Sequence, residues 1–457
     1  MRVLRVKPIK KITYIQLLLL HAGFAMLVYL IPSSSKFIYL GIVAFFFFLI
    51  FTKGNKNNEA LIAAAYITGA ELFFRMTGGA FFYESGKYLV IVFLLIGLFL
   101  SGTSKKSMPY WLYLFLLVPG VFFSALNLNY DTNIRTTIAF NISGPVTAGI
   151  VGIYCFYRKI SANRIHHIFL ALLLPIITLT LYLFVYTPNI RDALSGTSSN
   201  FAASGGFGPN QVSTIMGLGA IILFLRLFTV KSKLVNIIDL GLLALVCYRG
   251  LVTFSRGGMI TAVVCVIAFL LLYFYSANAL AKAKLIPKIV VISGILLLTW
   301  GFTSIQTFGF IDKRYSNQDA AGRVKEDITT GRAELLSSEL DVFFKNPLTG
   351  IGIGKIKEHR EEKTGISVAT HNEVSRLLSE HGISGLIALF ILAFTPLFYW
   401  LRYRPSVYFF AFYFFWLLTI GHSSMRLAAP GFIYGLCLLY IFYEKNTLHR
   451  KSLTQKG

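Results

Sequence analysis

Residues 253–276 read TFSRGGMITAVVCVIAFLLLYFYS, an arginine and two glycines followed by eighteen residues without a charge. At 1.5 Å per residue that uncharged run covers most of a ~30 Å hydrocarbon core, so it reads as a helix crossing a bilayer. The rest of the chain repeats the pattern. Of 457 residues, 56% are hydrophobic and only 14% charged, with 42 Phe and 24 Tyr. Too little polar surface remains to cover a water-soluble globule, whereas a lipid-facing surface needs none. A cytosolic enzyme is thereby excluded. Roughly fourteen apolar stretches can be marked between residues 12 and 443, some of which need tilt or local thinning to cross. The fold class expected is all-α, a polytopic integral membrane protein.

The charge is lopsided, 43 Lys+Arg against 19 Asp+Glu for a formal +24. Anionic lipid headgroups, a phosphate-bearing substrate and the positive-inside rule all call for that excess, so no nucleic acid is expected as a partner. If the spans alternate from a cytoplasmic N-terminus, the basic clusters Lys53/Lys56, Lys105/Lys106, Arg158/Lys159/Arg164, Lys231/Lys233, Lys282/Lys284/Lys288 and Arg402/Arg404 all fall inside, with Lys445, Arg450 and Lys451 in the tail. Short outer loops hold mostly single charges such as Lys36, Arg135, Arg191 and Arg426. Both termini are therefore expected in the cytoplasm. The first span follows Met1 to Lys11 with no small-residue cleavage site, so it is expected to stay as a helix. Cys155, Cys247, Cys265 and Cys437 all lie in apolar runs and read as small packing residues. His166-His167 has no third ligand nearby and reads as part of an inner headgroup-facing belt rather than a metal site.

On this reading the chain divides into N-terminal spans 1–186, an outer loop 187–209, core spans 210–304, a large outer loop 305–381, C-terminal spans 382–443 and an inner tail 444–457. The two outer loops are too long to be connectors, and the second is the one substantial polar segment. Within it Gly331 to Phe344 reads as an amphipathic helix, with Leu336, Leu340, Phe343 and Phe344 at helical spacing and Asn346-Pro347 as its stop. Gly350-Ile351-Gly352-Ile353-Gly354 reads as a flexible turn. Thr370-His371-Asn372-Glu373 has the form of a capping box, Thr370 as N-cap and Glu373 at N3.

If that box forms, His371 sits beside unpaired backbone N–H groups, where a cation is disfavoured and an anion favoured. Its imidazole would be neutral and able to accept a proton near pH 7. The alternative is an ordinary surface residue at a helix start. Arg249 and Arg256, seven residues apart, are expected on nearly the same face at the outer end of one span, with Gly257-Gly258 breaking the helix. An arginine at that depth either binds an anion in a polar cavity or snorkels to the headgroups. Arg332 and Arg191, from the two outer loops, could converge on the same point, and guanidinium forks suit a diphosphate. A nucleotide-hydrolysing glycine loop is absent, as is an Asp-x-Asp pair, and Glu339 and Asp341 would point to different faces of their helix. Neither a cofactor nor a metal is expected.

These motifs, in this order, resemble those of the O-antigen ligase and polymerase family of bacterial polytopic glycosyltransferases. The resemblance rests on Thr253 to Gly258, Gly331-Arg332, Asn346-Pro347 with Gly350, Gly352 and Gly354, Thr370 to Glu373, Glu380-His381-Gly382, and Gly208-Pro209-Asn210-Gln211. It covers about residues 190 to 400, the first 180 matching only as generic spans. It implies a GT-C-like helical architecture in the bacterial inner membrane and glycan transfer on the periplasmic face from an undecaprenyl-diphosphate-linked donor. The acceptor is lipid A-core for a ligase, or another lipid-linked repeat unit for a polymerase. For a polymerase a chain-length regulator is a further partner, beside the membrane lipids. Carried across, His371 is the base or acceptor-orienting residue, and Arg256 and Arg332 hold the diphosphate. Arg249, Arg191 and Arg376, with Asn372 and Asn210, make up the wider substrate-binding set. The span number leans toward a polymerase. A lipid-linked oligosaccharide flippase is the rival from another class, but its symmetric halves are not visible here and it has no use for a large polar segment on one side.

Overall fold

A computed structural model describes residues 10–129, 131–283, 285–327, 331–365, 370–404, 406–423 and 425–442. The inner tail beyond residue 443 and the basic residues before Lys10 lie outside that description. Apolar sequence becomes helix because a chain in lipid must satisfy its backbone internally. The first half forms α1 Lys11–Leu30, α2 Ser34–Lys53, α3 Glu59–Met76, α4 Ser85–Ser101, α5 Met108–Leu116, α6 Val118–Asn127, α7 Ile134–Cys155 and α8 Ala162–Tyr186. The core follows with α9 Pro209–Thr229, α10 Lys233–Leu251, α11 Arg256–Ser276, α12 Ala279–Ala283 and α13 Leu285–Gln306. Next come four short helices, α14 Phe310–Tyr315, α15 Arg332–Lys345, α16 Lys355–Thr364 and α17 Glu373–His381. The described chain closes with α18 Ile383–Tyr403, α19 Phe409–His422 and α20 Ala428–Cys437.

Among the described residues ten helical stretches are long and apolar enough to cross a membrane, and three shorter apolar helices accompany them. The chain is thus a multi-pass membrane protein. The all-α expectation needs one amendment. Lys159–Ser161 (β1) and Tyr440–Phe442 (β2) pair in parallel, Ile160 opposite Ile441. Three-residue strands at helix ends carry too little periodicity to be read from sequence.

The bundle is built around α9, which is buried along nearly its whole length against α8, α10 and α11. Its one internal charge, Arg226, is satisfied by Asp239 at 3.0 Å, and Tyr14 donates to the same carboxylate. All four cysteines are buried and free. His166 departs from the headgroup-belt expectation: it is buried in α8 and packs edge-on against Phe169. Large apolar side chains such as Leu271, Leu297 and Leu298 cover the outward helix faces, as a lipid-facing surface requires.

Candidate functional site

The TFSRGG stretch folds differently from its expectation. The helix break precedes the arginine: α10 ends at Leu251, Phe254 takes a left-handed φ of +55°, and α11 begins at Arg256 itself. Arg249 and Arg256 therefore lie on different helices rather than on one face. Gly257 and Gly258 are inside the first turn of α11, where they permit close packing. A Cβ on Gly258 would come within 2.2 Å of the Ser213 backbone, and one on Gly257 within 2.5 Å of the His422 ring. Ser255 links this turn to the Gly-Pro-Asn-Gln motif, its Oγ donating to Asn210 Oδ1 at 2.7 Å while its carbonyl accepts from Ser213 Oγ at 2.7 Å. The long loop is tied in as well, since Asn200 N donates to Thr253 O at 2.9 Å.

The short helix α14 clamps the same turn. Arg314 Nε donates to Phe254 O at 2.9 Å, and Arg256 Nη1 reaches Arg314 O at 3.4 Å. Asp312 holds α14 against α13 by accepting from Trp300 Nε1 at 2.8 Å and from Ser304 Oγ. Arg332 opens α15 after Gly331, whose φ is +77°. Burial and then the charge of Arg256 lower the pKa of Arg332; burial, Arg256 and Arg332 do the same to Arg314. These three guanidinium groups are close enough to repel one another.

His371 stands on the other wall. The expected capping box does not form: Asn372 is the N-cap of α17, its Oδ1 accepting from Val374 N at 2.9 Å. Thr370 instead donates to Glu339 Oε1 at 2.8 Å, and Glu373 is engaged by Arg376. The cause is Glu339, the buried anchor of α15, which also accepts from Arg360 at 2.6 Å and from Ser375. It draws Thr370 away from the helix start. His371 thus precedes the cap, half-buried, and its neutrality arises mainly from its surroundings. Burial, then Arg426, Arg332 and Arg360, push its pKa down to about 4. Arg332 faces both His371 and Arg256, so it joins the two walls.

Sequence reading missed Arg314, Arg426 and His422 as members of this group. Arg426 Nη2 donates to Thr370 O at 2.7 Å. His422 Nε2 lies 3.4 Å from Thr214 Oγ1, within electrostatic reach of Arg332. Nothing but their position at helix ends facing the large loop marks them in the sequence. Among the described residues Arg314, Arg332 and Arg426 make no ion pair with a carboxylate.

The remaining expected residues are otherwise engaged. Arg376 is buried and committed to Glu380 at 2.9 Å, to Glu373 and to Asn141 O at 2.9 Å, which makes it a strut of α17. Arg249 is buried against Phe184, 4.7 Å from the ring centroid, and donates to Thr187 O at 3.3 Å. Arg191 is exposed over Phe308 at 5.0 Å and shares no contact with the arginine group. The glycine run is no flexible turn. Ile351 N and Gly352 N donate to Ser379 O at 2.9 Å and Glu380 O at 3.1 Å, and Gly354 N donates to Glu380 Oε1 at 2.8 Å.

An apolar crevice of about 370 Å³ runs between α10, α11 and α13, lined by Cys247, Leu251, Met259, Val263, Trp300 and Tyr315. Among the described residues no group of three His, Cys, Asp or Glu side chains could hold a metal ion. Tyr315, which lines this apolar slot, is within electrostatic reach of Arg256 and Arg314, so the slot ends beside the cationic group.

Residues 240–390 match the family model described as O-antigen ligase. No curated protein and no solved structure matches the chain. The match runs from α10 into α18 and takes in Arg256, Arg314, Arg332 and His371, and over this segment the chain is similar to the O-antigen ligase family.

Proposed function

We propose that the protein is an inverting, metal-independent glycosyltransferase that moves a glycan from a polyprenyl (undecaprenyl) diphosphate to a sugar hydroxyl. The reaction takes place on the periplasmic face of the bacterial inner membrane. The observation that carries this reading is the set Arg314, Arg332 and Arg426, half-buried or buried, unpaired with carboxylates and gathered beside a neutral imidazole. Like charges brought together out of water call for an anion to offset them. A diphosphate supplies it, and guanidinium groups take the part that a divalent ion plays in other transferases.

In this scheme the acceptor hydroxyl gives its proton to His371 as its oxygen bonds to the anomeric carbon. The bond from that carbon to the diphosphate oxygen breaks, its electron pair leaving on the diphosphate. Arg256, Arg314 and Arg332 stabilise the charge that develops there. The prenyl chain follows the crevice between α10, α11 and α13. Asn210 and Asn372 orient the neighbouring motifs rather than the substrate, since each side-chain oxygen already accepts a protein hydrogen bond. One displacement inverts the anomeric centre. Among the described residues ten candidate spans and three shorter apolar helices are compatible with the roughly fourteen passes that lean toward a polymerase acting on a second lipid-linked unit over a ligase acting on lipid A-core.

The test is incubation of the purified protein in lipid nanodiscs with a polyprenyl-diphosphate glycan and an acceptor, without ATP and with EDTA. Free polyprenyl diphosphate and an inverted linkage should appear, and His371→Ala should abolish both while inserting normally. Transbilayer movement of the donor without its cleavage would replace this reading with a flippase.

A further inference from the structure

The N-terminal half, which reads as generic spans, holds a buried charge network. Glu71 and Arg75 on α3 pair at 2.5 Å; Arg75 also lies 3.7 Å from Glu84, which takes Lys87 and a 3.1 Å bond from Ser143. All four ionisable side chains are nearly inaccessible. Room for this network is cut into α4, since a Cβ on Gly86 would come within 2.5 Å of Glu71 Cγ. Such groups are costly to bury, and replacing them by apolar side chains would stabilise a bundle as well or better. Their placement calls for another purpose.

That purpose is visible in what they hold. Arg75 Nη1 donates to Arg426 O at 3.0 Å, and Ala428 N donates to Glu71 Oε2 at 2.7 Å. From the opposite side Met425 N donates to Glu373 Oε2 at 3.3 Å. The connection between α19 and α20 is gripped by its backbone from α3 and from α17, and from it the Arg426 side chain donates to Thr370 O beside His371. We propose that the Glu71–Arg75 pair is a positioning device that fixes Arg426 and, through it, the segment carrying the catalytic imidazole. The proposal rests on the reading of His371 as the base. Groups facing His371 are Arg332 from α15, Arg360 from α16 and Arg426 from the α19–α20 connection, while Glu339 and Glu373 hold the flanking backbone.

The experiment follows the imidazole directly, so it does not depend on glycan transfer. Full-length protein in nanodiscs is treated with diethylpyrocarbonate, which modifies neutral imidazole, and acylation of the His371 peptide is quantified by mass spectrometry against pH. In the unaltered protein the rate should fall only as pH drops toward about 4. Arg75→Met should release Arg426, weaken its field and move that midpoint up toward the ordinary histidine value; Arg75→Lys should restore part of the shift. Transfer by Arg75→Met should lose about tenfold in kcat with little change in donor KM, as for loss of orientation rather than of binding. A folded Arg75→Met protein with an unmoved midpoint overturns the positioning role. Should that variant not fold, Glu71→Gln, which keeps an acceptor for Ala428 but no charge for Arg75, is judged by the same criterion. A midpoint that moves in Arg75→Met, when the unaltered protein itself transfers no glycan, leaves the positioning intact and removes the catalytic reading instead.

Discussion

His371 is held neutral by burial and, after it, by cations, and this has a consequence for the order of events at the site. Arg426, Arg332 and Arg360 add to burial in disfavouring a proton, so the ring is neutral at pH 7 but a weak base. On the proposed reading a bound diphosphate would offset those cations, and the proton affinity of the ring would rise just when a base is needed. The sign follows from this: transfer falls as pH falls through the histidine pKa, and that pKa is lower in the free enzyme than in the donor complex. The acid limb of kcat/KM, which reports the free enzyme, should lie near pH 4, and that of kcat at higher pH. Coincident limbs would mean that the donor does not sit against these arginines. His371, Arg256 and Arg332 were legible in the sequence because each lies in a short motif. Arg314, Arg426 and His422 were not, because a lone charge at a helix end looks the same whether it meets solvent or a partner from a distant loop.

At the scale of elements, the ends of helices are where sequence and structure part. The amphipathic helix was expected over Gly331 to Phe344 and forms over Arg332–Lys345, but its buried anchor is Glu339 while Leu336 and Phe344 remain exposed. Periodicity found the helix but not its buried anchor, a carboxylate that collects three hydrogen bonds from residues distant in sequence. Local spacing likewise suggested the Thr370 capping box, and a tertiary competitor removed it. In the glycine run, Gly352 has φ of +94°, and a Cβ there would lie 2.7 Å from Ser124 N. Gly352→Ala should therefore cost about 1–3 kcal/mol through backbone strain and displacement of α6. The check is thermal unfolding in detergent, with Gly365→Ala, also at positive φ but with open space around it, as the milder control. Equal losses in the two variants would show that conformation alone, and not docking, sets the cost.

For the whole molecule, composition sufficed to specify a bundle of apolar helices, since hydrocarbon leaves the backbone few other options. Which helix would be central was not legible: α9 is less apolar than its neighbours α8 and α11, and its position follows from contacts with α8, α10 and α11. The crevice between α10, α11 and α13 is a property of the assembled bundle and gives a prediction at that scale. Val263 lines it from an exposed position, so Val263→Trp should fold normally and obstruct the slot. Its KM for a long-chain prenyl donor should rise several-fold, and that for a donor with a tail of a few isoprenes should not change. Equal effects on both donors would place the tail elsewhere. The cationic group beside the crevice is walled by the start of α11, by α14 and α15, by the approach to α17, and by the α19–α20 connection clamped onto α3. Its parts come from translation products made far apart in time. A ribosome that has yet to release residue 437 has inserted most of the spans but not the wall that seats Arg426. On the proposed reading a half-made chain would therefore be unable to split a lipid-linked donor, and activity would begin only when the closing hairpin is in place.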